Sequence, residues 1–140
     1  MKNHKVLGVR NISPASYVLK FTRENLSFRP GQHIVAGSPD TGDAREYSIY
    51  SGNNDKDLEI LIRDVKIGKV STMLHNLNPG DMIQINGPYG FFLSNIIPPS
   101  NRQLLFIASG TGIAPFHSYI RSYPESNYRL VHGIKTQDDA

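Results

Sequence analysis

The sequence contains no cysteine in its 140 residues. That absence excludes disulfides, thiolate zinc sites, iron–sulfur ligation and a cysteine nucleophile within the chain. Long apolar runs are missing as well: nothing approaches the roughly 18 residues of a membrane span. Met1-Lys2-Asn3-His4-Lys5 has two lysines and no apolar stretch behind it, which does not fit a signal peptide. Charge is scarce, at 19% of residues against 39% hydrophobic, the reverse of a disordered composition. The net charge of +3 is too small to indicate nucleic acid. These absences lead us to expect a cytoplasmic globular protein with no membrane span and no nucleic-acid partner.

Turn chemistry is plentiful by contrast, with 12 glycines and nine prolines. The length suits one domain, or one domain with part of another. Residues 1–70 hold 11 Lys and Arg against 8 Asp and Glu, whereas residues 71–140 hold 4 against 4. The basic surplus therefore lies in the first half, where it suits a phosphate-bearing ligand or an acidic partner, or simply a solvated surface.

Up to about Pro99 the pattern is one of short strands between turns. Val6–Ile12 and Tyr17–Arg23 are β-rich and separated by Ser13-Pro14. Further strands are expected at His33–Ala36, Glu46–Ser51, Leu58–Val65 and Met82–Gly87. This spacing suggests a small antiparallel barrel or sandwich. Val70, Leu74 and Leu77 recur at helical spacing and mark one helix that caps it.

After Pro98-Pro99-Ser100-Asn101 the pattern changes. Leu104–Ala108 is a continuous apolar run, as expected of a strand buried on both faces of a parallel sheet. A glycine-rich turn, a helix over about Ala114–Ser122 and a strand at Tyr128–Val131 complete one βαβ unit. The fold class expected is therefore mainly β: an antiparallel barrel with one capping helix over 1–100, then an incomplete α/β segment over 101–140. Two parallel strands and one helix cannot cover both faces of their sheet. The second segment thus reads as the first part of a truncated domain, or of one that a partner chain completes.

Three stretches carry candidate chemistry. In Arg45-Glu46-Tyr47-Ser48, strand alternation puts Arg45 and Tyr47 on one face and Glu46 and Ser48 on the other. A guanidinium beside an aromatic ring suits a ligand with both phosphate and a flat ring system. Alone, these four residues more readily describe a surface strand with a half-buried tyrosine. Gly68-Lys69-Val70-Ser71 opens the helix, where free N–H groups and a hydroxyl can meet an anion, or where Ser71 is a plain helix-start serine. Gly110-Thr111-Gly112-Ile113-Ala114-Pro115 lies between a strand and a helix, the context in which a glycine turn binds a nucleotide. His4, His33, His75, His117 and His132 lack metal-ligand spacing and read as structural, so no metal site is expected.

In this order, and with Phe28-Arg29-Pro30-Gly31-Gln32-His33, Gly87-Pro88-Tyr89-Gly90-Phe91-Phe92 and Leu130-Val131-His132-Gly133, the motifs resemble the ferredoxin–NADP⁺ reductase-like flavoprotein family. The resemblance implies an FAD-binding barrel followed by a Rossmann-like NAD(P)-binding domain, with hydride passing between flavin and nicotinamide. It implies FAD ahead of FMN, although the motifs do not separate the two. Under it, Arg45 holds the flavin diphosphate, Tyr47 stacks on the ring, and Ser48 bonds the reactive edge near N5, which makes Tyr47 and Ser48 the catalytic pair. Gly68, Lys69, Val70 and Ser71 bind the diphosphate, and Gly110, Thr111 and Gly112 approach the nicotinamide nucleotide. The implied activity is an FAD-dependent oxidoreductase moving electrons between NAD(P)H and a redox protein such as a ferredoxin or flavodoxin. The alternative is a flavin-binding electron-transfer subunit, inactive without a partner or further C-terminal residues.

Overall fold

A computed structural model describes residues 1–96 and 101–140. The expected boundary near residue 100, within Pro98-Pro99-Ser100, lies outside the described residues. Six antiparallel strands form the first sheet: β1 (Lys2–Ser13), β2 (Ser16–Phe21), β3 (His33–Gly37), β4 (Ala44–Ser48), β5 (Leu58–Arg63) and β6 (Met82–Tyr89). Their order is β4-β3-β6-β1-β2-β5. The two ends meet through a single antiparallel bridge, Ile49 to Ile60, so the barrel is closed by one bridge and not by a full ladder.

Alternation builds the core. Leu58, Ile60 and Ile62 on β5 all point inward and are buried, as are Ile34 and Ala36 on β3 and Ile83 and Ile85 on β6. Each full burial of such an aliphatic chain stabilises by roughly 1.5–3 kcal/mol. Helix α1 (Lys69–His75) adds Val70 and Leu74 to the same cluster. The buried Tyr17 hydroxyl donates to Ser71 O at 2.5 Å, and the Tyr17 ring stacks on His75 with centroids 4.3 Å apart. The helix caps the barrel, as its spacing suggested.

Strand boundaries shift where backbone pairing matters more than apolar content. β1 starts at Lys2, before the apolar run, because Lys2–Lys5 pair with Ile85–Met82 of β6. β4 ends at Ser48; the Tyr50 N–H still donates to Glu59 O of β5 at 2.8 Å, and segment 50–55 also meets the second half of the molecule. Strands β7 (Leu104–Ser109) and β8 (Tyr128–Gly133) are parallel, joined through a 3₁₀ turn at Gly110–Ile113 and helix α2 (Ala114–Ser122). Phe116 and Tyr119 of α2 pack on Phe106 and Ala108.

β7 departs from the expected strand buried on both faces. It is buried on one face only: Phe106 and Ala108 are covered by α2, but Leu105 and Ile107 are 62% and 67% exposed. A single crossover helix covers a single face, and no described element lies over the other. Among the described residues no helix is long and apolar enough to cross a membrane.

Candidate functional site

Arg45 and Tyr47 lie opposite Ala36 and Ile34 in the β3–β4 register, so they share a face as alternation required. Arg45 is exposed, its Nη1 donating to Ala44 O at 2.7 Å. Tyr47 is half-buried against the barrel core, and burial raises its phenol pKa, partly offset by the Arg45 charge. Ser48 lies opposite His33 on the other face and is half-buried.

The start of α1 comes to the same place. Lys69 Nζ sits 2.8 Å from Asp43 Oδ2, just before β4. Lys69, with Thr41 and the more distant field of Arg45, holds the Asp43 carboxyl below its usual range. Arg45, Lys69 and the first turn of α1 are thus gathered around one exposed carboxylate. The backbone N–H groups of that first turn have no acceptor within the helix.

Within Gly68–Ser71 the roles are unequal. Ser71 Oγ donates to Gly68 O and accepts from the Val65 N–H, both at 3.2 Å, so its buried hydroxyl shapes the turn. A Cβ at Gly68 would fall 2.6 Å from Ser71 Oγ and 2.9 Å from Val65 O, so packing of the turn itself demands glycine. Val70 is a core residue. Only Lys69 extends its side chain outward; the others offer backbone.

Gly110, Thr111 and Gly112 occupy the 3₁₀ turn after β7, with Gly110 at φ +52°. A Cβ at Gly110 or Gly112 would meet nothing within 4 Å, which leaves the turn open to close approach. His132 Nε2 donates to Gly110 O at 2.9 Å and pins the turn to β8. Gly110 and Thr111 border a cleft of about 550 Å³ between the barrel and the βαβ unit, with Tyr50, Leu61 and Arg63 on the barrel side. Arg45, Tyr47 and Ser48 do not line it. The structure therefore separates the candidates into a cationic group at β4 and α1 and a glycine turn on the cleft, linked by the chain from Ser48 to Tyr50.

Asp43, Tyr50, Asp55 and Arg121 do not stand out in the sequence, and His117 reads there only as structural. None lies in a recognisable motif, and their pairings span loops whose course only the fold sets.

The donor set fits a flavin dinucleotide. Two exposed cations and first-turn N–H groups suit its diphosphate, and the adjacent Tyr47 ring suits its flat ring system. The family model for the oxidoreductase FAD-binding domain matches residues 3–93. The chain belongs to that family. FAD is the cofactor of this domain, in agreement with the motif resemblance. The chain is 31% identical over 143 aligned positions to the toluate 1,2-dioxygenase electron transfer component of Pseudomonas putida, covering 96% of this chain and 41% of that protein. It is 31% identical over 140 residues to the ferredoxin–NADP reductase of Azotobacter vinelandii, covering 94% of this chain and 54% of that protein. The ferredoxin NADP⁺ reductase of Neisseria gonorrhoeae, solved with bound FAD and NADP, shares the fold at a TM-score of 0.87 and 24% identity, over 99% of this chain and 59% of that one. The chain thus spans about half the length, or less, of the curated relatives it matches.

Proposed function

We propose that the chain is the flavin-binding part of an NAD(P)H oxidoreductase that passes electrons to a protein carrier such as a ferredoxin or flavodoxin. The observation that carries this reading is the convergence of Arg45, Lys69 and the first turn of α1 around Asp43, beside the half-buried Tyr47. Bound FAD supplies the redox chemistry, since flavin takes up a hydride and can release electrons singly. The chain's residues bind and orient it. Arg45 and Lys69 neutralise the diphosphate, aided by the backbone of Gly68–Ser71. Tyr47 packs on the ring system, and Ser48 offers a hydroxyl to its reactive edge. Gly110, Thr111 and Gly112 receive the nicotinamide nucleotide, in the first part of a second domain over 101–140 that follows the FAD-binding domain over 1–100.

The test is a visible absorption titration of the purified protein with FAD, followed by anaerobic addition of NADPH or NADH. A shifted, structured flavin band that saturates near one equivalent and then bleaches supports the whole reading. A flavin spectrum left unperturbed by folded protein overturns it.

A second reading, an electron-transfer subunit completed by a partner chain, is favoured by the exposed Leu105, Ile107 and Val131, which the β7–β8 register places on one face. A monodisperse, stable monomer in light scattering counts against it. Self-association relieved by Leu105→Lys with Ile107→Lys supports it.

A further inference from the structure

The segment that leaves the barrel after β4 meets α2 in a run of polar contacts. His117 Nδ1 donates to Tyr50 O at 2.7 Å, and the two rings stack with centroids 3.6 Å apart and planes within 3° of parallel. Ser118 Oγ donates to Ser51 O at 2.7 Å. The Asn53 N–H donates to Ser122 Oγ at 2.8 Å. Arg121 forks onto Asp55, Nε to Oδ2 and Nη2 to Oδ1, both at 3.0 Å, while the Gly52 N–H donates to Asp55 Oδ2 at 2.8 Å. The four α2 residues are spaced so that they share one helix face. A Cβ at Gly52 would stand 3.1 Å from Arg121 Cβ, so the two backbones approach closely.

This contact is made of directional hydrogen bonds and a ring stack, with little aliphatic packing. Such an interface sets geometry. Its placement says which geometry. Segment 50–55 begins two residues beyond Ser48, and α2 begins where the Gly110–Ile113 turn ends.

We infer that Tyr50–Asp55 and the 117–122 face of α2 form a positioning clamp that holds the Gly110–Gly112 turn at a set distance from Tyr47 and Ser48. The clamp rests on the function proposed above, because its purpose is to bring a nucleotide on that turn to a ring held at Tyr47. Tyr50, Asp55, His117 and Arg121 are positioning residues that act through the turn.

The cysteine-free sequence makes the test direct. Nitroxide labels at Lys5→Cys and Glu125→Cys, both exposed and outside the clamp, report the distance between the two halves by pulsed electron paramagnetic resonance, with no flavin or nucleotide added. The parent should show a single narrow distance distribution. Arg121→Ala and Asp55→Ala should each lose it, the double variant should match either single one, and the exchange Asp55→Arg with Arg121→Asp should restore it. Asp55→Asn, which keeps shape and one acceptor, should fall between parent and Asp55→Ala and serves if an alanine variant does not fold. Distributions in the variants as narrow as the parent's overturn the clamp. FAD titration of the same proteins should give the parent's affinity throughout. An affinity that falls with Arg121→Ala means that the segment serves the flavin site itself, which also overturns the inference. A parent that binds no FAD overturns instead the function on which the clamp rests, and the titration alone reveals it.

Discussion

Lys69 Nζ and Asp43 Oδ2 stand 2.8 Å apart, and this pair brings the first turn of α1 to the strand that carries Arg45. Two stretches far apart in sequence thereby present their cations together. Asp43 occupies Lys69 as a phosphate would, so it competes with an anionic ligand for the ammonium.

Asp43→Asn should therefore tighten FAD binding severalfold at low salt, with the gain fading as ionic strength rises. Because Lys69 holds the Asp43 carboxyl below its usual range, the carboxylate remains charged at neutral pH and the effect should not vary there. FAD titrations of parent and variant at two salt concentrations measure it. Weaker binding in the variant would mean that Asp43 orders Lys69 for the ligand.

Arg45 is exposed, so its contribution to diphosphate binding belongs at the low end for charge-assisted bonds. Arg45→Ala should weaken FAD binding about tenfold, roughly 1.5 kcal/mol. Tyr47→Ala should weaken binding too, but Tyr47 also packs on the core, so thermal stability should fall with it. Tyr47→Phe keeps ring and packing and should restore both. Unchanged FAD affinity in Arg45→Ala and Tyr47→Ala together would remove both residues from the site.

The contact between the halves should weaken in mild acid. Burial lowers the His117 pKa from its usual 6.5, although its hydrogen bond to Tyr50 O and the charges of Asp55 and Glu59 pull upward, while Arg121 adds to the lowering. The undocked helix then binds a proton that the docked helix resists. Docking is fully favourable above about 6.5 and loses strength as pH falls from there toward the lower docked value. Asp55 acts separately: burial would raise its pKa, but Arg121 and the Gly52 N–H outweigh it and lower it, so its contribution disappears only in stronger acid. Hydrogen exchange of α2 at pH 5.5 and 7.5 should show the loss, and His117→Phe should abolish the difference. Equal protection at both pH values in the parent would refute the assignment.

Tyr17→Phe should cost about 1 kcal/mol in urea unfolding. It removes the buried hydroxyl that donates to Ser71 O and ties β2 to α1. Burial pushes the phenol pKa far up, with smaller upward contributions from Tyr47 and Asp64. Alkaline difference spectra of the parent and of Tyr17→Phe should accordingly coincide until unfolding, because the Tyr17 phenol stays protonated in the folded protein.

Much of this protein follows from local rules. Alternation at Leu58, Ile60 and Ile62 marks an inward-facing strand, and Val70, Leu74 and Leu77 mark the helix, because side-chain periodicity is a property of the backbone conformation itself. The same logic put Arg45 and Tyr47 on one face and located the glycine turn between a strand and a helix. Composition and periodicity cannot show what covers a strand: Leu105 and Ile107 read as buried in the sequence and are exposed in the fold, since burial depends on neighbours distant in sequence. Nor can they distinguish a serine that meets a ligand from one like Ser71, whose hydroxyl is consumed by Gly68 and Val65. The meetings of Lys69 with Asp43 and of Arg121 with Asp55 belong wholly to the tertiary structure. Local rules choose the element and the face each residue takes. Packing of the whole chain chooses its partner, because charges and hydrogen-bond donors act through distances that only the assembled barrel and βαβ unit set.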